Sequence, residues 1–159
     1  FLDDLDALRA NPATREAQMH KALERNLWVI GAPFHLMASN LTLARIVTEY
    51  ADKKFKGSRA ARRPDLLLAT DPGDRYLLVE FKRPSHAISR KDENQAQEYA
   101  DDLYKLLPSK PFDLLVLGGK REEKSNPQND APNMTVASYA DIISRARHEV
   151  DWLLKSSSH

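Results

Sequence analysis

Two apolar runs with strand character, residues 65–70 and 75–82, stand on either side of Asp71-Pro72-Gly73-Asp74. Pro-Gly suits positions i+1 and i+2 of a type II turn, or the centre of a longer loop. The runs are therefore expected to fold back on each other as an antiparallel hairpin. With the turn centred between Pro72 and Gly73, paired positions sum to 145, so Thr70 faces Arg75 and Asp65 faces Glu80. Directly opposed residues have Cβ atoms about 4.5–5.5 Å apart, and a side-chain period of two puts Lys82 on the face of Glu80. Two carboxylates and a lysine thus converge on a hairpin otherwise built of leucine and valine. Like charges at that separation repel unless a cation lies between them, and a divalent metal with hard oxygen ligands would relieve the repulsion. A one-residue bulge would break the arrangement. Read singly, Asp65 is a turn cap after Pro64, and Glu80 and Lys82 are a solvated strand end.

Composition narrows the chemistry around this hairpin. The chain has no cysteine, which excludes a disulfide framework, a zinc ribbon and a cysteine nucleophile. A catalytic metal would have to be held by oxygen, with histidine as the other donor. At 159 residues one domain is expected, burying roughly 70% of its unfolded surface. An apolar share of 42% with 30% charged residues is ordinary for a soluble globular protein. Runs such as Leu66-Leu67-Leu68-Ala69 are too short to span a bilayer. Asp3, Asp4 and Asp6 stand where a signal peptide would be basic and then apolar, so a cytoplasmic protein without membrane contact is expected. Because the chain opens on Phe1 and closes on Ser-Ser-Ser-His, residues 1–155 are read as one domain cut from a longer chain, and residues 156–159 as a disordered tail.

Elsewhere the periodicities predict a helix over about Pro12–Asn26, opened by Asn11-Pro12, and a strand over Ala44–Tyr50. A helix over about Asp92–Leu107 carries Ala96, Tyr99, Ala100, Leu103 and Leu106 on one stripe. Strands are expected over Phe112–Leu117 and Met134–Ala137, with a closing helix over Tyr139–Leu154. Lys120–Pro132 reads as disordered, and Gly118-Gly119-Lys120 as a strand terminus lacking the phosphate-loop pattern. The order helix, three strands, helix, two strands, helix is a mixed α/β domain with an antiparallel start.

Pro64-Asp65, fourteen residues, then Glu80-Phe81-Lys82 resembles the signature of the PD-(D/E)xK nucleases, the restriction-endonuclease-like superfamily. Gln95-Ala96-Gln97-Glu98-Tyr99 resembles the Q-x-x-x-Y motif that some of its branches carry on the next helix. Residues 16–28, Glu-Ala-Gln-Met-His-Lys-Ala-Leu-Glu-Arg-Asn-Leu-Trp, are similar to the E-x-x-L-Q-x-F-L-E-x-N-P-W opening of the Shedu family, nuclease domains of a bacterial anti-phage defence system. His20 stands there for glutamine, Ala22 for an aromatic residue and Leu27 for proline. Val79–Ser85 and Ala137–Asp141 are also similar to Shedu domains, and the resemblance extends from about Thr14 to Leu154.

The resemblance implies a restriction-endonuclease-like mixed sheet flanked by helices, and metal-dependent hydrolysis of DNA phosphodiesters. It implies that Asp65, Glu80 and the Phe81 carbonyl hold Mg²⁺, with Mn²⁺ as the alternative ion, and that Glu16 adds a third acid for a second metal. Lys82 would position or deprotonate the attacking water and stabilise charge on the phosphate. Gln95 would orient Lys82 or the water, while Tyr99 packs. His20, four residues from Glu16, reads as a hydrogen-bond partner or core histidine rather than a ligand, and Glu49 as one more acid near the cleft.

The net charge of +1 hides a local imbalance: Lys53, Lys54, Lys56, Arg59, Arg62 and Arg63 lead towards Asp65 without an intervening acid. Arg83, Arg90 and Lys91 follow Lys82. Basic residues bracketing such a site would neutralise backbone phosphates with little sequence preference. The other readings are a catalytically silent nuclease-fold module that binds nucleic acid or a partner domain, and a nuclease acting on RNA or repair intermediates. A homo-oligomer or a fused regulatory domain is expected in the full-length protein.

Overall fold

The computed structural model describes residues 1–30, 34–39, 65–70, 75–104, 112–122 and 133–157. Two helices, α1 (Leu2–Ala10) and α2 (Glu16–Glu24), and a 3-10 turn (Leu27–Val29) lead into strand β1 (Phe34–Ser39). The hairpin strands β2 (Leu66–Thr70) and β3 (Tyr76–Phe81) follow, then a two-residue strand β4 (Ala87–Ile88) and helix α3 (Arg90–Tyr104). Strand β5 (Phe112–Gly118), a second short strand β6 (Lys120–Arg121), β7 (Met134–Ser138) and helix α4 (Tyr139–Ser157) complete the described elements.

The main sheet has the order β1-β2-β3-β5-β7. Leu66 pairs with Val79, Leu67 with Leu78 and Leu68 with Leu77, which is the expected register summing to 145. On its other edge β3 runs parallel to β5, with Glu80 opposite Val116. A parallel pair needs a crossover, and α3 supplies it. Strand β3 is therefore central and every residue of it is buried, which explains its near-continuous apolar sequence.

Alternation along β2 and β3 sends side chains to two cores. Leu67, Tyr76 and Leu78 pack with Ala96, Tyr99, Ala100 and Leu103 of α3. Leu66, Leu68, Val79 and Phe81 pack with Leu5 of α1, Met19 and Leu23 of α2, and Tyr139, Ile142 and Ala146 of α4. Each fully buried leucine contributes on the order of 1.5–3 kcal/mol. The charged end of β3 emerges at the rim between α3 and α2.

Several boundaries differ from expectation. The Asn11-Pro12 pair closes a turn rather than opening a helix: the Asn11 side chain accepts from the Ala13 N–H at 3.0 Å. Helix α2 starts at Glu16, where the Gln18 side chain accepts from the Arg15 N–H at 2.9 Å. Before it, Leu2, Leu5 and Leu8 give α1 an apolar edge that its aspartates obscure. Helix α3 begins at Arg90 because Ser89 caps it: the Ser89 Oγ accepts from the Asp92 N–H at 3.3 Å, and Asp92 Oδ2 accepts from the Ser89 N–H at 2.9 Å. That is a reciprocal capping box. Lys120 and Arg121, expected in a disordered stretch, pair with β4. Helix α4 runs through Ser157, so Ser156 and Ser157 are helical rather than tail. The expected strand over 44–50, the turn over 71–74 and the remainder of the stretch over 123–132 lie outside the described residues. Among those described, no helix is long and apolar enough to cross a membrane.

Candidate nuclease site

Where the β2–β3 ladder ends, side chains replace backbone rungs. The Asp65 N–H donates to Glu80 Oε1 at 3.1 Å, and the Phe81 N–H donates to Asp65 Oδ2 at 2.6 Å. Each carboxylate is thus held by the backbone of the opposite strand. Glu80 is only 5% exposed. Burial pushes its carboxyl well above the ordinary range, and the facing Asp65 charge adds to this. The Asp65 hydrogen bond and the Lys82 charge act in the opposite direction, with a further upward push from Glu16.

Lys82 is anchored at three points. Its N–H donates to the Leu117 carbonyl at 2.7 Å, and its carbonyl accepts from Tyr139 Oη at 2.6 Å. Its Nζ donates to Gln95 Oε1 at 3.5 Å, and Gln95 Nε2 reaches Tyr99 Oη at 3.1 Å. Tyr139 is fully buried at the start of α4; burial, then the charges of Asp65 and Glu16, raise its hydroxyl far above the usual tyrosine range.

Glu16 opens α2 and is exposed, close enough to act electrostatically on Glu80 and Tyr139. One turn on, His20 Nδ1 lies 3.8 Å from Asp65 Oδ1, and its Nε2 lies 3.6 Å from Glu24 Oε2. Its ring is tilted against Phe81 at a centroid distance of 5.2 Å. Asp92 and His86, neither of them among the expected site residues, also join the site. Asp92 Oδ1 is 3.8 Å from Lys82 Nζ, while its Oδ2 accepts from His86 Nε2 at 2.7 Å. Ser89-x-x-Asp92, a capping signature, was the available signal.

The segment joining Lys82 to α3 is clamped to the end of β5. The Gly119 N–H donates to the His86 carbonyl at 3.0 Å. A Cβ on Gly119 would lie 2.0 Å from the Pro84 carbonyl oxygen, and one on Gly118 would lie 2.8 Å from Ile88 Cγ1. The strand terminus expected at Gly118-Gly119 therefore requires both glycines for close approach.

Of the nine basic residues expected to meet nucleic acid, Lys53, Lys54, Lys56, Arg59, Arg62 and Arg63 lie outside the described residues, as does Glu49. Arg83 and Lys91 are exposed, and Arg90 Nη1 lies 3.5 Å from Glu93 Oε2.

The donor set suits a divalent metal that keeps part of its water shell. Among the described residues, no three His, Asp or Glu side chains cluster as a ready cage. Mg²⁺ typically uses only one or two carboxylates and retains several waters. A buried glutamate facing a second carboxylate matches that demand.

A mixed sheet carrying an acid at the end of each hairpin strand, with Glu-Phe-Lys closing β3 and a glutamine on the next helix, defines a restriction-endonuclease-like nuclease fold. Residues 17–105 match the VRR-NUC domain family, and the chain belongs to that family. The fold is similar to a repair endonuclease from Pyrococcus abyssi, with a TM-score of 0.55 and 15% identity. That likeness covers 77% of this chain and 46% of the archaeal one, so the chain spans less than half of that protein's length. No curated protein matches the chain.

Proposed function

We propose that this domain hydrolyses DNA phosphodiester bonds as a metal-dependent endonuclease. The observation that carries the reading is Glu80, buried yet facing Asp65 across the hairpin, an arrangement that costs free energy until a cation occupies it. Asp65, Glu80 and the Phe81 carbonyl would hold Mg²⁺ or Mn²⁺, with Glu16 available from α2. The metal would supply Lewis acidity at the scissile phosphate and lower the pKa of a water.

The chain's own groups do the rest. Lys82 directs its ammonium towards the phosphate and stabilises the negative charge that develops on its oxygens. Gln95, braced on Tyr99, fixes the direction of that ammonium. Tyr139 and Leu117 fix its backbone. Arg83 and Lys91, with the basic run 53–63, neutralise phosphates either side of the cut and confer salt-dependent affinity.

For the setting, we favour bacterial anti-phage defence, supported by the resemblance of residues 16–28, 79–85 and 137–141 to Shedu domains. The domain would act as part of a longer, oligomeric or regulated chain in the cytoplasm. Repair is the rival setting, favoured by the fold shared with the repair endonuclease from Pyrococcus abyssi.

The test incubates the domain with linear, circular, nicked and branched DNA, with Mg²⁺, Mn²⁺ or EDTA. Wild type is compared with Asp65→Ala, Glu80→Ala and Lys82→Ala. Each variant is expected to lose about 10²-fold or more in rate. Cleavage that survives all three overturns the site. A wild type that binds DNA and never cuts it supports the silent module instead. Preference for intact duplex over branched or nicked DNA favours defence, and the reverse preference favours repair.

A further inference from the structure

The first turn of α3 contains a carboxylate whose two oxygens do different work. Asp92 Oδ2 accepts three hydrogen bonds: from the Ser89 N–H at 2.9 Å, the Ser89 Oγ at 3.1 Å and His86 Nε2 at 2.7 Å. A carboxylate can only accept, so His86 Nε2 carries the proton in this contact. Oδ1 faces Lys82 Nζ at 3.8 Å. The Asp92 side chain is 13% exposed and that of Lys82 is 17% exposed, so the contact is shielded from most of the solvent. We infer that Asp92 is a positioning residue for Lys82, and that His86 Nε2 and the Ser89 backbone N–H hold the carboxylate so that one oxygen stays aimed at the ammonium.

Three features support this role over a helix cap alone. A cap needs only one acceptor oxygen and the Ser89 partner, whereas Asp92 engages two further groups, one on each oxygen. Gln95 approaches the same Nζ from the next turn of α3, so together the two side chains restrict the lysine's rotation. The bond from His86 comes from the segment clamped against Gly118-Gly119, which ties the aim of the carboxylate to the end of β5. Burial alone would favour a neutral Asp92, but the Ser89 and His86 hydrogen bonds, with the Lys82 and His86 charges, outweigh it and lower the carboxyl pKa below its usual value. The carboxylate is therefore available as an anion at neutral pH.

The inference rests on the nuclease reading for its importance in catalysis, but its geometry can be tested without catalysis. The experiment follows the side-chain ammonium signal of Lys82 by ¹H–¹⁵N NMR in the metal-free domain, and DNA cleavage with Mg²⁺ in parallel. Asp92→Asn retains an acceptor for Ser89 and His86 but loses the anion facing Lys82. It is expected to shift the Lys82 signal and to lower kcat about tenfold with KM for DNA unchanged, as partners that orient an active group do. Ser89→Ala keeps the backbone N–H bond to Asp92 Oδ2 and removes only the capping hydroxyl, so it is expected to lower the melting temperature while leaving the Lys82 signal in place and kcat within about twofold. His86→Ala, at a half-exposed position, is expected to move the Lys82 signal in the same direction by less, and serves if Asp92→Asn does not fold.

An unmoved Lys82 signal in Asp92→Asn, or in His86→Ala where that variant stands in, overturns the inference. A kcat loss in Ser89→Ala equal to that of Asp92→Asn also overturns it. A wild type inactive on every DNA overturns the nuclease reading alone, because the NMR signal still decides the positioning.

Discussion

Glu80 and Asp92 flank the same lysine from differently built regions. At the end of the hairpin, Glu80 is buried beside another acid, and the main counterweights are one backbone N–H and the Lys82 charge. At the start of α3, Asp92 is surrounded by donors, from Ser89 and His86 on one oxygen to Lys82 on the other. Their carboxyls are accordingly displaced in opposite directions, Glu80 upward and Asp92 downward. An acid left short of donors is suited to receive a cation, and an acid saturated with donors is suited to hold a neighbour still.

The largest expected effect removes the first of these acids. Glu80→Gln should cut DNA cleavage by about 10²-fold or more, while the metal-free domain melts at the same or a higher temperature, because a strained anion has gone. A lower melting temperature would mean that Glu80 is satisfied without a metal, and the contrast with Asp92 would fail. Next in size, Gly119→Ala touches neither acid but forces the Pro84 carbonyl away. Overpacking of this kind costs about 1–3 kcal/mol, measurable by urea denaturation, and cleavage should fall because the segment after Lys82 moves.

Mg²⁺ offers a smaller, reversible probe. At ten times its dissociation constant it should stabilise wild type by about 1.4 kcal/mol, seen as a rise in melting temperature that EDTA reverses. Glu80→Gln should show little of that rise. The smallest effect is in pH. Glu80 binds a proton more tightly folded than unfolded, so its contribution to stability is complete below the ordinary carboxylate range and is lost as pH rises through its raised folded value. Asp92 behaves oppositely: its contribution is present above the ordinary range and is lost as pH falls through its lowered folded value. Melting curves across pH should therefore flatten on the rising side in Glu80→Gln and on the acid side in Asp92→Asn.

The two regions were unequally legible in the sequence. The hairpin register followed from centring the turn between Pro72 and Gly73, and the pairs Leu66–Val79, Leu67–Leu78 and Leu68–Leu77 agree with it. Gln95 was legible beside Lys82 only through the resemblance of Gln95–Tyr99 to the Q-x-x-x-Y motif; folding brings the two side chains to 3.5 Å. Asp92 opens the expected helix without any motif that ties it to Lys82, and only Ser89 three residues earlier marks it as a cap. Strands β4 and β6 have two residues each, too few to show a period, so the clamp between the Lys82 segment and β5 could not be read. Helix α1 was hidden because Asp3, Asp4 and Asp6 outweigh its three leucines. Tyr139, 57 residues beyond Lys82, is joined to it by tertiary folding alone.

That tyrosine has a consequence for how the domain comes into being. During synthesis, Asp65, Glu80 and Lys82 leave the ribosome long before Tyr139, and before β5, the parallel neighbour of β3. A nascent chain that ends just after residue 105, where the segment matching the family closes, contains the hairpin acids and the lysine but neither the strand nor the hydroxyl that steadies the lysine's backbone. Cutting capacity would therefore arrive late in translation, once the final helix docks and its first residue reaches back to the Lys82 carbonyl.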